Sequence, residues 1–468
     1  MPGLLTENHS LLECQGKDNQ IPKYKINYRF IIPISIVISL GGLLFGFDLS
    51  IISGTVSAFS AHFNLQDAGI GLSVGCINIG AAIGSLLAGK LSDSLGRKKA
   101  LLFCALLFAI TGVGTGWAAN FAVFIIFRMF SGVAVGIAAM VCPMYIAEVS
   151  PAVIRGRLVA FYQLAITVGI LLAYLSNYLL LNVGKNNWRW MFSSQSVPAI
   201  LFFAGLFFVT ESPRWLIRKK RTKEAVDILE KIIGREYASR ELNTIESSFK
   251  TGVNKVGPDL SRKLIRHIVF LGIIVAFFSQ AVGQNSLFSY APEIFKEAGT
   301  AQASAFLQSV ILGVINLLFT FLAIGTVDRY GRKNLLLYGS ALLFLDAVAL
   351  ALCFYMQVPA IWILVFVLGF IAIYAATIGP VTWVILSEMF PNRIRGKAMG
   401  AATLSLWISN FFTTASFPVM KAHLGMSFVF GIHSLVCFAY FVFIIKKMPE
   451  TKRKSLEDIE SFFKKNCQ

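Results

Sequence analysis

Charge is scarce in this sequence. Only 14% of its 468 residues are Asp, Glu, Lys or Arg, against about 25% in a soluble domain. With 56% hydrophobic residues and a mean hydropathy of +0.69, the chain cannot present a soluble globular surface. Acid is scarcer than base, 24 residues against 42. Cysteine is sparse and odd in number, and Cys76, Cys104, Cys142, Cys353 and Cys437 fall inside apolar runs. That excludes a disulfide framework and reads as small core residues. The first 28 residues lack the basic, apolar and small-residue succession of a cleavable leader, so the first apolar run is read as a retained helix. One N-x-S/T sequence, at Asn8, falls on the expected inner side, where glycosylation does not occur. No nucleotide-binding loop, metal cluster or nucleophile constellation is present, which argues against an enzyme, a cofactor or ATP-driven work.

What the chain has instead is apolar length. Runs of about 20 residues, enough to cross about 30 Å of hydrocarbon, recur from end to end. About twelve are expected, over 29–58, 68–90, 98–118, 121–147, 157–181, 189–210, 265–296, 302–326, 334–356, 358–387, 397–422 and 425–446. Helices are the form in which such backbone satisfies its hydrogen bonds in lipid. The net charge of +18 comes from basic clusters in alternate loops, "GRKK" at 96, "RGR" at 155, "RKKR" at 218, "DRYGRK" at 328, "RIRGK" at 393 and "KK" at 446. That pattern places both termini in the cytoplasm. It reports orientation in a bilayer and gives no support to a nucleic-acid partner.

The polar stretch from about Glu211 to Arg266 divides the runs into two sets of six. "EVSPAVIRGR" at Glu148 and "EMFPNRIRGK" at Glu388 lie 388 − 148 = 240 residues apart, and "DSLGRK" at Asp93 and "DRYGRK" at Asp328 lie 328 − 93 = 235 apart. Two pairs at nearly one offset indicate parallel repeats, an arrangement that places a substrate site at the midplane between halves. The expected organisation is an N-terminal tail over 1–28, bundles over 29–210 and 265–447, a linker over 211–264 and a C-terminal tail over 448–468. In the linker, Ala225, Ile228, Leu229, Ile232 and Ile233 recur at helical spacing before Gly234, predicting short amphipathic helices on the cytoplasmic face.

Asp48 stands in the apolar run "GGLLFGFDLSIISG". A carboxylate at mid-membrane costs at least about 2.5 to 3.5 kcal/mol, so it needs a cavity or a partner. Arg128, in "FIIFRMFSGVAVG", is the candidate. Arginine keeps its charge while Asp can be neutralised, so the pair reads either as a proton switch or as a static clamp between helices. Gln163, Gln280, Gln284, Asn285, Asn316 and Asn410 interrupt other apolar runs. Amides donate and accept, which suits a neutral polyhydroxylated ligand, and Trp383 and Trp407 offer faces for a sugar ring. Helix-to-helix hydrogen bonding is the other reading of the amides. Gly379 and Pro380 in the tenth run, and Gly283 and Pro292 in the seventh, mark expected breaks. At the loops, five pairings are expected: Asp93 with Arg97, Glu148 with Arg155, Glu211 with Arg214, Asp328 with Arg332 and Glu388 with Arg395. Ion pairs of this kind could latch the inner face. Asp346, in "LLFLDAVAL", has no role in this reading.

Together "GGLLFGFD", "DSLGRKK", "PMYIAEVSPAVIRGR", "ESPRWL", "QNSLFSYAPEIF", "DRYGRK", "GPVTWVILSEMFPNRIRGKAMG" and "PETK" strongly resemble the sugar porter family of the major facilitator superfamily, over about Gly41 to Glu460. The resemblance is greatest to bacterial xylose/proton symporters. It implies an all-α integral membrane protein of the major facilitator fold, with twelve transmembrane helices in two six-helix halves and a cytoplasmic helical domain between them. It also implies a transporter in a bacterial inner membrane, working as a monomer by alternating access, with a proton as coupling ion and a monosaccharide as cargo. A passive facilitator and a polyol or inositol transporter are the alternatives, and a nontransporting sugar sensor is the more remote one. By position, the resemblance makes Asp48 the proton-coupling carboxylate and Arg128 its partner. It places Gln163, Gln280, Asn285, Asn316, Trp383 and Trp407 on the sugar, with Phe45 and Gly379 lining the same cavity. Ile170 and Gln284 belong to this set as departures, since the xylose symporters have glutamine and the family usually has isoleucine there; Ser94, Ser279 and Leu406 also depart. Arg97, Glu148, Arg155, Glu211, Arg332, Glu388 and Arg395 match the family's inner charge network.

Overall fold

The structure is a computed structural model that describes residues 26–151, 153–251, 262–390 and 395–448. The tails and Asn8 lie outside the described residues, as do the side chains of Asp328 and Arg395. Eighteen α-helices and no β-strand occur among the described residues. The first half holds α1 (Tyr28–Ile51), α2 (Val56–Phe63), α3 (Asp67–Leu95), α4 (Arg97–Gly116), α5 (Phe121–Val149), α6 (Arg155–Leu180), α7 (Asn187–Ser194) and α8 (Ser196–Phe207). The linker holds α9 (Pro213–Arg218), α10 (Thr222–Ile233) and α11 (Arg235–Thr251). The second half holds α12 (Arg262–Ala281), α13 (Gln284–Glu297), α14 (Gln302–Tyr330), α15 (Arg332–Tyr355), α16 (Ala360–Ala376), α17 (Ile378–Met389) and α18 (Arg395–Lys447).

Eleven helical stretches among the described residues are long and apolar enough to cross a membrane. The last runs over 51 residues, more than twice the length one crossing needs. It is broken at Gly425, whose φ of 79° leaves the helical region, so α18 supplies two crossings and the total is twelve. Leu86, Leu201, Phe208 and Phe428 point outward, where hydrocarbon is the solvent that matches them.

The two halves repeat one packing plan. In the first, α3 packs on α5, α1 on α6, and α4 on α8; in the second, α14 packs on α16, α12 on α18, and α15 on α18. Across the halves the partners are α3 with α18 and α6 with α14. The motif pair noted in the sequence has a backbone cause. Gly96 (φ 95°, ψ 164°) and Gly331 (φ 90°, ψ 156°) make the same sharp turn between consecutive crossings, in a region of φ that a side chain disfavours. Small residues let helices touch directly: a Cβ on Gly132 would fall 2.1 Å from the Ile77 carbonyl oxygen.

Proline explains two breaks and who repairs them. Pro292 has no N–H for the Phe288 carbonyl, and that oxygen instead accepts from Tyr174 Oη at 2.8 Å. Pro418 likewise frees the Thr414 carbonyl, which accepts from Tyr290 Oη at 3.0 Å. Such rescue is what buried backbone in an apolar medium requires. In the tenth crossing the non-helical residue is Thr377 (φ −128°, ψ −83°), ahead of Gly379 and Pro380. Pro380 cannot donate to the Ala376 carbonyl, so the ladder fails on the N-terminal side of the proline.

The linker is fixed to the first half. The expected apolar stripe of α10, Ala225, Ile228, Leu229, Ile232 and Ile233, is buried, and Gly234 (φ 83°) ends the helix. Asn27, at the foot of α1, donates from its backbone N to the Ile232 carbonyl at 2.9 Å and from Nδ2 to the Lys231 carbonyl at 3.0 Å. The last-turn carbonyls of α10 are thereby capped.

Candidate functional site

Asp48 and Arg128 are brought together between α1 and α5. Asp48 Oδ1 accepts from Arg128 Nη1 at 2.5 Å, and the two side chains are 0% and 1% exposed. Ser131 Oγ donates to the other carboxylate oxygen, and Gln195 Nε2 donates to Ser131 Oγ at 3.3 Å. The Phe192 ring lies 5.7 Å from the guanidinium carbon. Neither Ser131 nor Gln195 was expected. Ser131 follows Arg128 by three residues on one helix, the spacing that puts both on the same face, and that spacing could have found it. Arg128 Nε and Nη2 have no partner among the described residues. The guanidinium therefore depends heavily on Asp48 for compensation.

Beside this pair lies a cavity of about 100 Å³ between the halves. All ten residues expected at a ligand site line it: Phe45, Gln163, Ile170, Gln280, Gln284, Asn285, Asn316, Gly379, Trp383 and Trp407. They come from α1, α6, α12, α13, α14, α17 and α18, so no single helix carries the site. Sequence reasoning missed Thr167, Thr320, Phe288 and Tyr374, which also line it. Threonine and aromatic residues are unremarkable in an apolar run, so nothing flagged them. Asp48 is not among the lining residues, although Phe45 and Leu49 on either side of it are. The carboxylate faces α5 while its helix neighbours face the ligand space.

The cavity is closed at the end away from the linker. Tyr174 meets Phe288 there, Lys296 Nζ reaches Ser57 Oγ at 3.0 Å, and Ser57 Oγ donates to Glu293 Oε1 at 2.5 Å. Deeper in, Asn410 Nδ2 donates to Asn78 Oδ1 at 2.7 Å and Trp407 Nε1 to Ser85 Oγ at 3.0 Å. A Cβ on Gly71 would meet the Ala415 carbonyl oxygen at 1.9 Å, so α3 and α18 are in backbone contact. Each of these contacts joins one half to the other.

On the linker side, the ion pairs among the described residues join elements within a half or tie a half to the linker. Arg97 forks onto Glu148, Nε to Oε2 at 3.0 Å and Nη2 to Oε1 at 2.9 Å. Asp93 pairs with Arg97 at 3.4 Å, as expected, and with Arg218 at 2.8 Å, which was not. Ser212 Oγ also donates to Glu148. Two expected pairings are corrected. Arg155 turns to the Ser150 carbonyl, with Nη2 at 3.4 Å, because the planar fork of Arg97 already holds Glu148. Arg214 is exposed, and Glu211 instead accepts from the backbone N of Arg97 at 3.0 Å, of Lys98 at 3.2 Å and of Ser212 at 2.8 Å. A carboxylate at the first turn of α4 satisfies N–H groups that the helix cannot. Burial pushes the Glu211 carboxyl up from its ordinary value, opposed by those N–H groups and by the Arg97 charge. Protonated Glu211 thus favours folding at low pH, and that contribution is lost as pH rises through the raised value. In the second half Arg332 Nη2 meets Glu388 Oε1 at 2.9 Å. The expected partners Asp328 and Arg395 have side chains outside the described set.

Arg97→Ala strips the two forked bonds from a largely buried carboxylate and is expected to cost about 3 kcal/mol. Arg97→Lys should recover only part, since an ammonium cannot fork. Thermal unfolding of the purified protein in detergent measures both.

Residues 34–463 match the family described as Sugar (and other) transporter. The chain belongs to this family. Among its relatives, the D-xylose-proton symporter of Escherichia coli (strain K12) is 39% identical over 475 residues, covering 93% of this chain and 96% of that one. The arabinose-proton symporter of Bacillus subtilis (strain 168) is 36% identical over 443 residues, covering 93% and 95%. The partially occluded inward-open structure of the xylose transporter XylE from E. coli superposes with a TM-score of 0.83 at 37% identity, covering 92% of this sugar transporter and 100% of that chain. This is the major facilitator fold that the family resemblance implies, and the protein crosses the membrane many times.

Proposed function

We propose that this protein imports a monosaccharide together with a proton, by alternating access, and that Asp48 is the proton-carrying group. The observation that carries the reading is the placement of a buried, singly compensated carboxylate on the helix whose neighbouring residues, Phe45 and Leu49, line an amide-rich cavity between two repeated bundles. The relatives' coupling of pentose to proton supports it. Both termini and the linker lie in the cytoplasm of a bacterial cell, on the basic side of the membrane. The closed far end is then external, and the conformation faces inward.

In the outward-facing state Asp48 takes a proton and lets go of Arg128, which frees α1 from α5. Sugar enters among Gln163, Gln280, Gln284, Asn285 and Asn316, resting on Trp383 and Trp407. Closing the far end around it turns the site inward, and the paired Asp48 and Arg128 of the structure belong to the step after the cargo has left. The proton leaves after the sugar, Asp48 re-forms its bond to Arg128, and the empty carrier returns. A unit charge crossing about 100 mV gains about 2.3 kcal/mol, so the proton gradient can drive uptake. The proton is the coupling ion, no cofactor enters the cycle, and one chain is a complete unit. Asp93, Arg97, Glu148 and Glu211 tie the inner ends of the first bundle together, and Arg332 with Glu388 does so for the second.

Adding the transported sugar to de-energised proteoliposomes is expected to alkalinise the external medium, read with a pH electrode. Sugar flux with no pH change would make the protein a passive facilitator. A competition panel of pentoses, hexoses and inositols against labelled uptake identifies the cargo. Tyr174→Phe removes the hydroxyl that bridges the halves at the far end and is expected to shift the resting population outward by about 1 kcal/mol. An external thiol probe on a cysteine placed at Ser57 should label faster in that variant.

A further inference from the structure

At the break of the seventh crossing, Gln280 Oε1 accepts two hydrogen bonds, from Gln284 Nε2 at 2.9 Å and from Asn285 Nδ2 at 2.6 Å. With Gln280 set this way, turning Gln284 or Asn285 alone would set oxygen against oxygen, so the three amides are oriented as one unit, in this sense or all three reversed. In the orientation of the structure Gln284 commits a nitrogen to its neighbour and is left with Oε1, which is buried and has no partner among the described residues. The residue is 2% exposed and lines the cavity. A buried carbonyl without a donor is costly, and such groups persist where something else supplies the donor. Asn316, in the same cavity lining, has the complementary vacancy: its Nδ2 is a buried donor without an acceptor among the described residues. Gln284 sits directly after Gly283, whose φ of 102° ends α12 and starts α13, so backbone geometry holds it in place.

We propose that Gln284 is a specificity-determining residue, its Oε1 accepting a hydrogen bond from one particular hydroxyl of the cargo. The assignment rests on the sugar-transport reading of this cavity and deepens it: the ligand is a polyol whose hydroxyl at that one position must be free to donate. A fluorine there cannot donate and does not substitute for the hydroxyl. Neither does a hydrogen.

The test uses the full-length protein in proteoliposomes and competition by the monodeoxy and monodeoxyfluoro series of its best-transported sugar. In the wild type, one ring position should lose at least about tenfold in affinity with both analogues, the size of one hydrogen bond plus the unpaired acceptor left behind. In Gln284→Leu and Gln284→Met the deoxy analogue at that position should bind within about threefold of the parent sugar, because the unpaired acceptor is gone. Equal penalties in wild type and variants overturn the assignment, as does a wild type with no position sensitive to both analogues. If a variant binds no sugar, the wild-type pattern alone decides. A wild type that binds no monosaccharide overturns the transport reading along with this one.

Discussion

Asp48→Asn is expected to abolish uphill sugar accumulation while leaving sugar exchange in place. The side chain is nearly isosteric: its amide oxygen can still accept from Arg128 while its Nδ2 donates to Ser131 Oγ, so the space between α1 and α5 stays filled. What disappears is the choice between a charged and a neutral form. An amide holds α1 permanently in the arrangement of the uncharged state, and a carrier that cannot alternate charge cannot return a proton. The ratio of internal to external sugar under an imposed gradient should fall to about unity, since without differential proton binding no gradient is transduced. Counterflow of labelled against unlabelled sugar should continue, because that cycle never needs the empty carrier to reorient. Accumulation undiminished in this variant would take Asp48 out of the mechanism.

Arg128→Leu should be the most damaging single change to the folded protein. It strands a carboxylate that is 0% exposed with Ser131 as its remaining hydrogen-bond donor. Removing one partner of a buried pair costs about 3 to 5 kcal/mol, whereas replacing both by apolar residues is often nearly neutral. The double variant Asp48→Leu with Arg128→Leu should therefore unfold close to the wild-type temperature, yet transport nothing uphill. That divergence separates a coupling role from a clamp. Were the pair only a clamp between helices, the double variant would recover activity along with stability.

The fold was legible because the bilayer imposes a length, and the twelve apolar runs correspond to crossings in the structure. The duplication was legible because Gly96 and Gly331 repeat a turn that needs glycine. Charge pairing was less so. Glu148 was assigned to Arg155, seven residues away in sequence, when the fold delivers Arg97 from α4. Nearness along the chain stood in for nearness in space, and a planar fork prefers the partner it can meet side by side. The break in the tenth crossing was placed at Gly379 and Pro380 and falls at Thr377, where the lost hydrogen bond is felt. In the cavity, amides and tryptophans stood out against an apolar background and all were placed together; Thr167, Thr320 and Tyr374 did not stand out, although they share the same wall. Asp48 was read as needing a cavity or a partner, and in this conformation it has the partner, sealed against α5.

The most direct measurement is the steady-state accumulation of the transported sugar in sealed proteoliposomes, as the pH difference and the membrane potential are varied independently. With one proton moved per sugar, the accumulation ratio should rise about tenfold for each unit of inward-acid pH difference, or for each roughly 59 mV of inside-negative potential. A ratio that stays at unity whatever gradient is imposed, with sugar still flowing, would mean that no proton travels with it.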